Sequence, residues 1–199
     1  MPASAATRAR LQQFVDDEML RAPLLAEQVF DAAFEDLRRG APGASQQERF
    51  AAADMLRVAE AARASMVQAF VKSVGDQVRA ELDGAAQTAG ARLRDAAPKL
   101  ELSLVDDEAV AVDVELSHLI QAVKSVAEHE LRELATYTAA LAGDMDMGRD
   151  HNPFRAETYA RAMWQAAQVL PATRGHQVRL MRAASRPLAL VLRQSYAGS

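Results

Sequence analysis

Apolar residues recur every three or four positions along most of the chain, which is the spacing of one face of an α-helix. The first such pattern runs from Leu11 to Leu37. We expect Pro23 to break or kink this helix, because proline lacks a backbone donor and its ring clashes with the preceding turn. The pattern ends in "RRGAPGAS" at residues 38–45, where basic residues, Gly40 and a proline form a helix stop signal.

A second helix is predicted to follow at once. Ser45 and Glu48 have the spacing of a capping box, in which each side chain bonds the other residue's backbone N–H. No firm stop follows from Gln46 to about Ala97, although the glycines near residues 84–90 predict a bend or a break there.

The stretch "KLELSLVDDEAVAVDVEL" at residues 99–116 alternates apolar and polar positions, so it fits either a β-hairpin or the start of a helix. A lone hairpin is marginally stable in water, and this one lacks an Asn-Gly or Asp-Gly turn. Asp106 or Asp107 as a helix cap explains the same acidic residues. We therefore predict an extended lead-in through Leu104 and a helix from about Asp107.

The remainder of the chain predicts further helices. One amphipathic pattern spans residues 116–141 without interruption, and a loop begins at Gly143. Asn152-Pro153 is predicted to be the cap and first residue of the next helix. "PATRG" at residues 171–175 separates that helix from the last one, in which we expect a kink at Pro187.

Composition supports an all-α fold. Half of the 199 residues are hydrophobic but only 5% are aromatic, a mixture that suits close-packed helices better than strands. We predict an elongated helical bundle of five to seven helices, some of them long and coiled-coil-like. The chain is either a single domain over residues 1–199 or the N-terminal module of a longer protein, with a subdivision into 1–97 and 98–199 as an alternative.

Targeting signals and cysteines are absent from the sequence. The N-terminus lacks the apolar core of a secretory signal, and no apolar run reaches the ~18 residues that a membrane span needs. We therefore expect a cytoplasmic protein with no transmembrane segment. There is no cysteine, which excludes thiolate catalysis, disulfides and cysteine metal sites.

The net charge of −4 conceals an uneven distribution. Residues 101–150 hold 12 acidic and 3 basic residues, whereas residues 151–199 hold 7 arginines and one glutamate. Such asymmetry is typical either of a surface for an anionic partner or of two segments that pack together through opposite charge. We favour the second interpretation.

Four arginines form a stripe on the last helix, namely Arg179, Arg182, Arg186 and Arg193. Guanidinium groups suit phosphate and carboxylate partners. The stripe fits a solvated or salt-bridged face, a docking surface for an acidic partner, or a nucleic-acid or lipid site. A pI of about 5.6 makes the nucleic-acid interpretation the weakest, because such domains are usually basic.

No metal, cofactor or catalytic site is predicted. Glu115 and His118 have the Glu-x-x-His spacing of di-iron bundles, but there is no second copy, and we place this pair on a solvated face. The acidic loop that begins at Asp144 carries arginines where a calcium-binding EF-hand needs glycine and glutamate. No phosphate-binding loop or nucleophile elbow is present, so the sequence favours a protein that is not an enzyme.

Three segments carry a more specific resemblance: "LSLVDDEAV", "ELRELATYTAALAG" and "NPFRAETYARAM". Over roughly residues 100–199 the chain resembles the N-terminal part of a bacterial family known as the domain of unknown function number sixteen thirty-one. Family members are typically several times longer, which implies a short relative or an N-terminal module. Some members are labelled thymidine phosphorylase, but this sequence has neither the phosphate-binding glycine loop nor the alternation of strands and helices that would support that activity.

These observations predict a bacterial protein-interaction or regulatory module that forms homo-oligomers through its amphipathic helices. We expect the module to bind a protein partner. A ligand-sensing or enzymatic bundle with an internal site is one alternative. A nucleic-acid or anionic-membrane binder that uses the arginine stripe is another.

Overall fold

Six α-helices make up the fold in a computed structural model that describes residues 5–40, 43, 45–88, 107–142 and 153–197. They are α1 (Ala5–Arg39), α2 (Gln46–Thr88), α3 (Asp107–Val126), α4 (Glu128–Ala142), α5 (Ala156–Gln168) and α6 (Arg174–Tyr196). No strand occurs within these ranges. The all-α helical bundle predicted from sequence is confirmed.

Helix α1 runs unbroken through Pro23, so of the break or kink expected there the break does not occur. Pro23 itself is exposed, while Ala22, Leu25 and Ala26 beside it are buried. Buried contacts on both sides of the proline hold the helix together where local propensity would end it. At the C-terminal end, Gly40 adopts a φ of 68° and donates its N–H to the Asp36 carbonyl at 3.2 Å, which confirms the predicted stop.

The capping box at the start of α2 is confirmed. The Ser45 N–H donates to the Glu48 carboxylate at 2.8 Å, and the Glu48 N–H donates to the Ser45 hydroxyl oxygen at 3.3 Å. Helix α2 then continues without a break to Thr88. The remainder of the predicted helix, residues 89–97, lies outside the described residues.

The helix predicted from about Asp107 begins there, as α3. Its predicted extended lead-in lies outside the described residues. The uninterrupted helix expected over residues 116–141 is divided, because α3 ends at Val126 and α4 begins at Glu128. Ala127, between them, keeps helical hydrogen bonds on both sides: its N–H donates to Val123 at 2.9 Å, and its carbonyl accepts from Leu131 at 3.0 Å. The interruption is therefore a local bend that leaves the hydrogen-bond ladder in place.

Helix α5 begins later than predicted. Its N-cap is Arg155, so the assignment of Pro153 as the first helical residue is wrong, and Asn152 lies outside the described residues. Thr158 holds the entry turn in place by donating its hydroxyl to the Pro153 carbonyl at 3.0 Å. The side chain that secures this start is thus within the helix rather than before it.

Helix α6 starts after Thr173, whose hydroxyl oxygen accepts from the backbone N–H of His176 at 3.4 Å. It runs through Pro187 to Tyr196, so Pro187, like Pro23, does not end its helix. Pro187 differs from Pro23 in being buried.

Packing joins the first and last helices. Helix α1 contacts α2, α4 and α6, α2 also contacts α5, and α3 packs on α6 and α5. The acidic and basic segments of the chain are therefore neighbours through α3 and α6. One hydrophobic core contains residues from both the 1–97 and the 98–199 regions, including Phe30, Met66, Phe70, Leu119, Leu180 and Leu188. Within the described ranges, no helix has a stretch long and apolar enough to cross a bilayer.

Candidate functional site

The four arginines of the stripe predicted on α6 have different surroundings, and Arg182 forms an ion pair, as the salt-bridged interpretation of the stripe expects. Arg182 reaches across to α3, where its Nε donates to Glu115 Oε1 at 3.0 Å and its Nη2 donates to the same oxygen. Glu115 is only 5% exposed. The hydrogen bonds that Arg182 donates to Glu115, together with the negative charge of that carboxylate, raise the pKa of Arg182. Arg182 is therefore the partner of a buried carboxylate and contributes to α3–α6 packing.

The other three arginines have different surroundings. Arg179 is half-buried near Glu48, and Arg186 and Arg193 are exposed. The Ser45 N–H and hydroxyl bound to Glu48 lower the pKa of its carboxyl group, and the charge of Arg179 adds to this effect. Arg186 and Arg193 form no ion pair with any residue that the structure describes.

The solvated face predicted for Glu115 and His118 is correct for only one of them. His118 is exposed, whereas Glu115 turns inward to Arg182. Three-residue spacing places two side chains on the same side of a helix, but at the edge of a buried face one can point in while the other points out. No cluster of three or more potential metal-ligating side chains occurs among the described residues.

A buried polar cluster joins α1, α5 and α6. Glu18 is 8% exposed and contacts Arg21 Nη1 at 3.2 Å. Its carboxylate also forms a hydrogen bond with the Tyr196 hydroxyl, which in turn is hydrogen-bonded to the Tyr159 hydroxyl. Each phenol has one hydrogen, so with Glu18 ionised Tyr196 donates to Glu18 and accepts from Tyr159. The cluster is a short chain that ends on a carboxylate.

Burial governs the protonation of this cluster. Desolvation raises the pKa of Glu18 and outweighs the opposing effects of Arg21 and of the Tyr196 hydrogen bond. Burial also raises the pKa of Tyr196, and the nearby Tyr159 and Glu18 reinforce that shift. Both phenols therefore remain neutral at physiological pH and act as hydrogen-bonding groups.

Two surface clefts adjoin at the cluster, and they share Glu18, Arg21 and Tyr196. The α1–α6 cleft has a volume of about 390 Å³ and an apolar lining that includes Leu24, Leu25, Val74 and Phe154. Its two charged lining residues, Glu18 and Arg21, balance each other. Clefts of this size fall within the range that binds small molecules or side chains of a partner.

The α1–α4 cleft has a volume of about 400 Å³ and a different electrostatic character. Its lining holds four acidic residues and one arginine: Asp17, Glu18, Glu130, Glu133 and Arg21. The apolar part of its lining includes Phe14, Leu134 and Tyr137. The Phe14 and Tyr137 rings meet edge to face at 5.2 Å, and Tyr137 is 53% exposed.

One exposed face of α1 runs along both clefts. It consists of residues three or four positions apart, and we call it the α1 face: Asp17, Leu20, Arg21, Leu24 and Gln28. Leu20 is 80% exposed and Leu24 is 61% exposed. Leu24 lines the α1–α6 cleft and Leu20 lies one helical turn before it, so two large aliphatic side chains lie in solvent on the α1 face.

Sequence reasoning missed this site, although one signal was available. Glu18 lies three residues after Val15 and four before Ala22, and both of those are buried. A carboxylate on the apolar stripe of a helix needs a buried partner, which would have directed attention to Glu18. The identity of the partner, Tyr196 on the last helix, could not have been read from spacing.

Together the fold and the site define an all-α bundle domain in which a polar cluster separates two surface clefts. The chain belongs to the family described as protein of unknown function (DUF1631), N-terminal domain, whose model matches residues 4–198. The family resemblance predicted from sequence is confirmed, and the match extends over the first 100 residues, where we had seen only helical character. No match was found among curated proteins or among solved structures.

Proposed function

We propose that this chain is a cytoplasmic protein-interaction module, rather than an enzyme, and that it binds a segment of a partner protein along the α1 face. The observation that carries the proposal is the exposure of Leu24, which lines the α1–α6 cleft, and of Leu20, which lies one helical turn before it. Large apolar side chains on a surface with concave neighbours are typical of protein-binding sites. A partner segment would cover both leucines and fill the clefts with its own side chains.

Site-specific photo-cross-linking in the native host tests the proposal. p-Benzoylphenylalanine replaces Tyr137, an exposed aromatic residue in the α1–α4 cleft, and for comparison it replaces Arg57, an exposed residue of α2. We expect a discrete cross-linked protein from position 137 and none from position 57. No cross-linked product from position 137 would contradict the proposal.

A variant pair makes this test specific for the α1 face. Leu20→Asp combined with Leu24→Asp should abolish the cross-link without unfolding the protein, because both side chains are already in solvent. Phe50→Asp is the control, since Phe50 on α2 is also largely exposed but lines neither cleft. Equal cross-linking in all three proteins would show that the partner does not contact α1.

A small-molecule ligand is the second candidate function, and the buried Glu18–Tyr196–Tyr159 cluster favours it. Polar groups that converge beside a cleft can orient a ligand, and groups with shifted pKa values are common at binding sites. Ligand-observed NMR with a small-molecule library would test it. We expect any specific ligand to lose binding to the Glu18→Gln variant, and a library with no such compound would count against this candidate.

Self-association belongs to the proposal as well. Val110 and Val114 are exposed on α3, four residues apart, on a surface distinct from the α1 face. Light scattering at micromolar concentration should show an oligomer that Val110→Asp with Val114→Asp dissociates. A monomer at all concentrations would remove this part of the proposal.

Binding to nucleic acid or an anionic membrane through the arginine stripe is the remaining alternative. Of its four arginines, Arg186 and Arg193 remain exposed and without a described ion pair. Salt-sensitive binding to DNA, RNA or anionic vesicles that is lost in Arg186→Ala with Arg193→Ala would favour it. Absence of binding at low salt would eliminate it.

A further inference from the structure

The difference in charge between the two clefts indicates what kind of segment the α1 face binds. In the α1–α6 cleft one carboxylate is matched by one arginine, whereas in the α1–α4 cleft four carboxylates face the same arginine. Three of the four are available at the surface: Asp17 and Glu133 are exposed and Glu130 is half-exposed. Glu133 has His129 Nε2 at 3.3 Å on its own helix, and Arg21 is already bound to Glu18.

The aromatic lining adds a second component to this cleft. Tyr137, Phe14 and Phe154 form a row of edge-to-face contacts, at 5.2 Å for Phe14–Tyr137 and 5.7 Å for Phe14–Phe154. Phe14 and Tyr137 line the α1–α4 cleft, and Phe154 lines the α1–α6 cleft. An exposed tyrosine beside several carboxylates is complementary to a cation on an aliphatic stem, because the ring face attracts the charge and the ring body covers the stem.

From these observations we infer that the occupant is a basic amphipathic segment of a partner protein. Its lysine or arginine side chains enter the α1–α4 cleft beside Asp17, Glu130 and Glu133. Its aliphatic side chains cover Leu20 and Leu24 and enter the neutral α1–α6 cleft. The inference rests on the proposed function and adds to it the chemistry of the bound segment.

Synthetic peptides provide a direct test that does not require the natural partner. The test uses two fluorescently labelled amphipathic helical peptides with the same leucine spacing. The polar positions are arginine and lysine in the basic peptide and glutamate in the acidic peptide. Anisotropy titrations at low and high salt would measure the affinity of each for the protein. We expect the basic peptide to bind, its affinity to fall as salt rises, and the acidic peptide not to bind.

Matched charge variants separate this cleft from a general attraction between an acidic protein and a basic peptide. Glu130→Gln with Glu133→Gln removes two carboxylates from the cleft. Asp54→Asn with Asp113→Asn removes two exposed carboxylates from α2 and α3, neither of which lines a cleft. Since exposed ion pairs each contribute modestly, we expect the first variant to weaken binding about five- to tenfold and the second less than about twofold.

The opposite results would overturn the inference. Equal affinity for the acidic and basic peptides, no binding of either, or equal weakening by the two double variants would each do so. If one of these results were obtained while a host protein still cross-linked at position 137, the proposed function would hold, but the bound segment of the partner would not be cationic. Conversely, loss of the cross-link with retained basic-peptide binding would show that the cleft has the inferred chemistry but is not the surface that holds the host partner.

Discussion

The ion pair between Arg182 and Glu115 predicts that Arg182 stabilises the fold, whereas Arg186 on the same stripe does not. In Arg182→Met the aliphatic stem is kept and the guanidinium is lost, so the Glu115 carboxylate, 5% exposed, loses both of its hydrogen bonds. Arg186→Met is the matched control, because Arg186 is exposed and forms no ion pair with the described residues.

The magnitude follows from the burial of the two partners. Breaking a fully buried ion pair costs about 3–5 kcal/mol, and an exposed pair contributes at most about 1 kcal/mol. Glu115 is buried but the Arg182 side chain is 72% exposed, so water screens one side of the pair. We therefore expect Arg182→Met to lower the free energy of unfolding by about 1–3 kcal/mol, and Arg186→Met to change it by less than about 0.5 kcal/mol.

Urea denaturation followed by circular dichroism would measure these differences. Glu115→Met with Arg182→Met should recover much of the lost stability, because both charges are then replaced by apolar groups. If Arg182→Met were as stable as Arg186→Met, the Glu115 contact would contribute nothing to stability, and Arg182 would be free to act in the docking surface that is one of the interpretations of the stripe.

Three further predictions concern the helices themselves. Pro23→Ala should raise the free energy of unfolding by about 1 kcal/mol or more in urea titrations, because it restores a helical N–H donor at an exposed position. Pro187→Ala should raise it less, because Pro187 is buried and its replacement also loses packing. An equal gain in both variants would refute this difference between the exposed and the buried proline. Gly75→Ala should raise the free energy of unfolding by up to about 1 kcal/mol, because the added methyl group meets the flexible ends of Met19, 3.2 Å away, and of Arg79, 3.5 Å away. Thermal unfolding at a lower temperature would show instead that Met19 cannot move. The pKa of Glu18 is raised in the folded state, so its contribution to stability is fully present below the ordinary value of 4.5 and is lost as the pH rises through the folded pKa. Urea titrations at successive pH values should therefore show the wild type losing stability relative to Glu18→Gln over that interval. A difference in stability that does not depend on pH would contradict the raised pKa.

Local chemistry explains which parts of the fold could be predicted from sequence. The start of α2 at Ser45–Glu48 and the end of α1 at Gly40 depend on side chains within a few residues of the boundary, and both were predicted correctly. Neither Pro23 nor Pro187 ends its helix, because buried neighbours outweigh the local cost of a proline.

Tertiary contacts explain why the candidate site could not be predicted. Glu115 was placed with His118 on a solvated face because their spacing was all that could be seen, and its arginine lies on another helix 67 residues away. Glu18 meets Tyr196 only once the first and last helices have packed together. Periodicity shows which side of a helix is buried, but it does not show which helix covers that side.

The contact between α1 and α6 also bears on the order of folding. Local pairs such as α5 with α6 close short loops, whereas Glu18 and Tyr196 lie near opposite ends of the described chain and must close a very long one. Because closing so long a loop costs more conformational entropy than closing a short one, we expect the α1–α6 interface to form late. Both clefts depend on that interface, so the binding surface is complete only in a chain that has folded to its final helix.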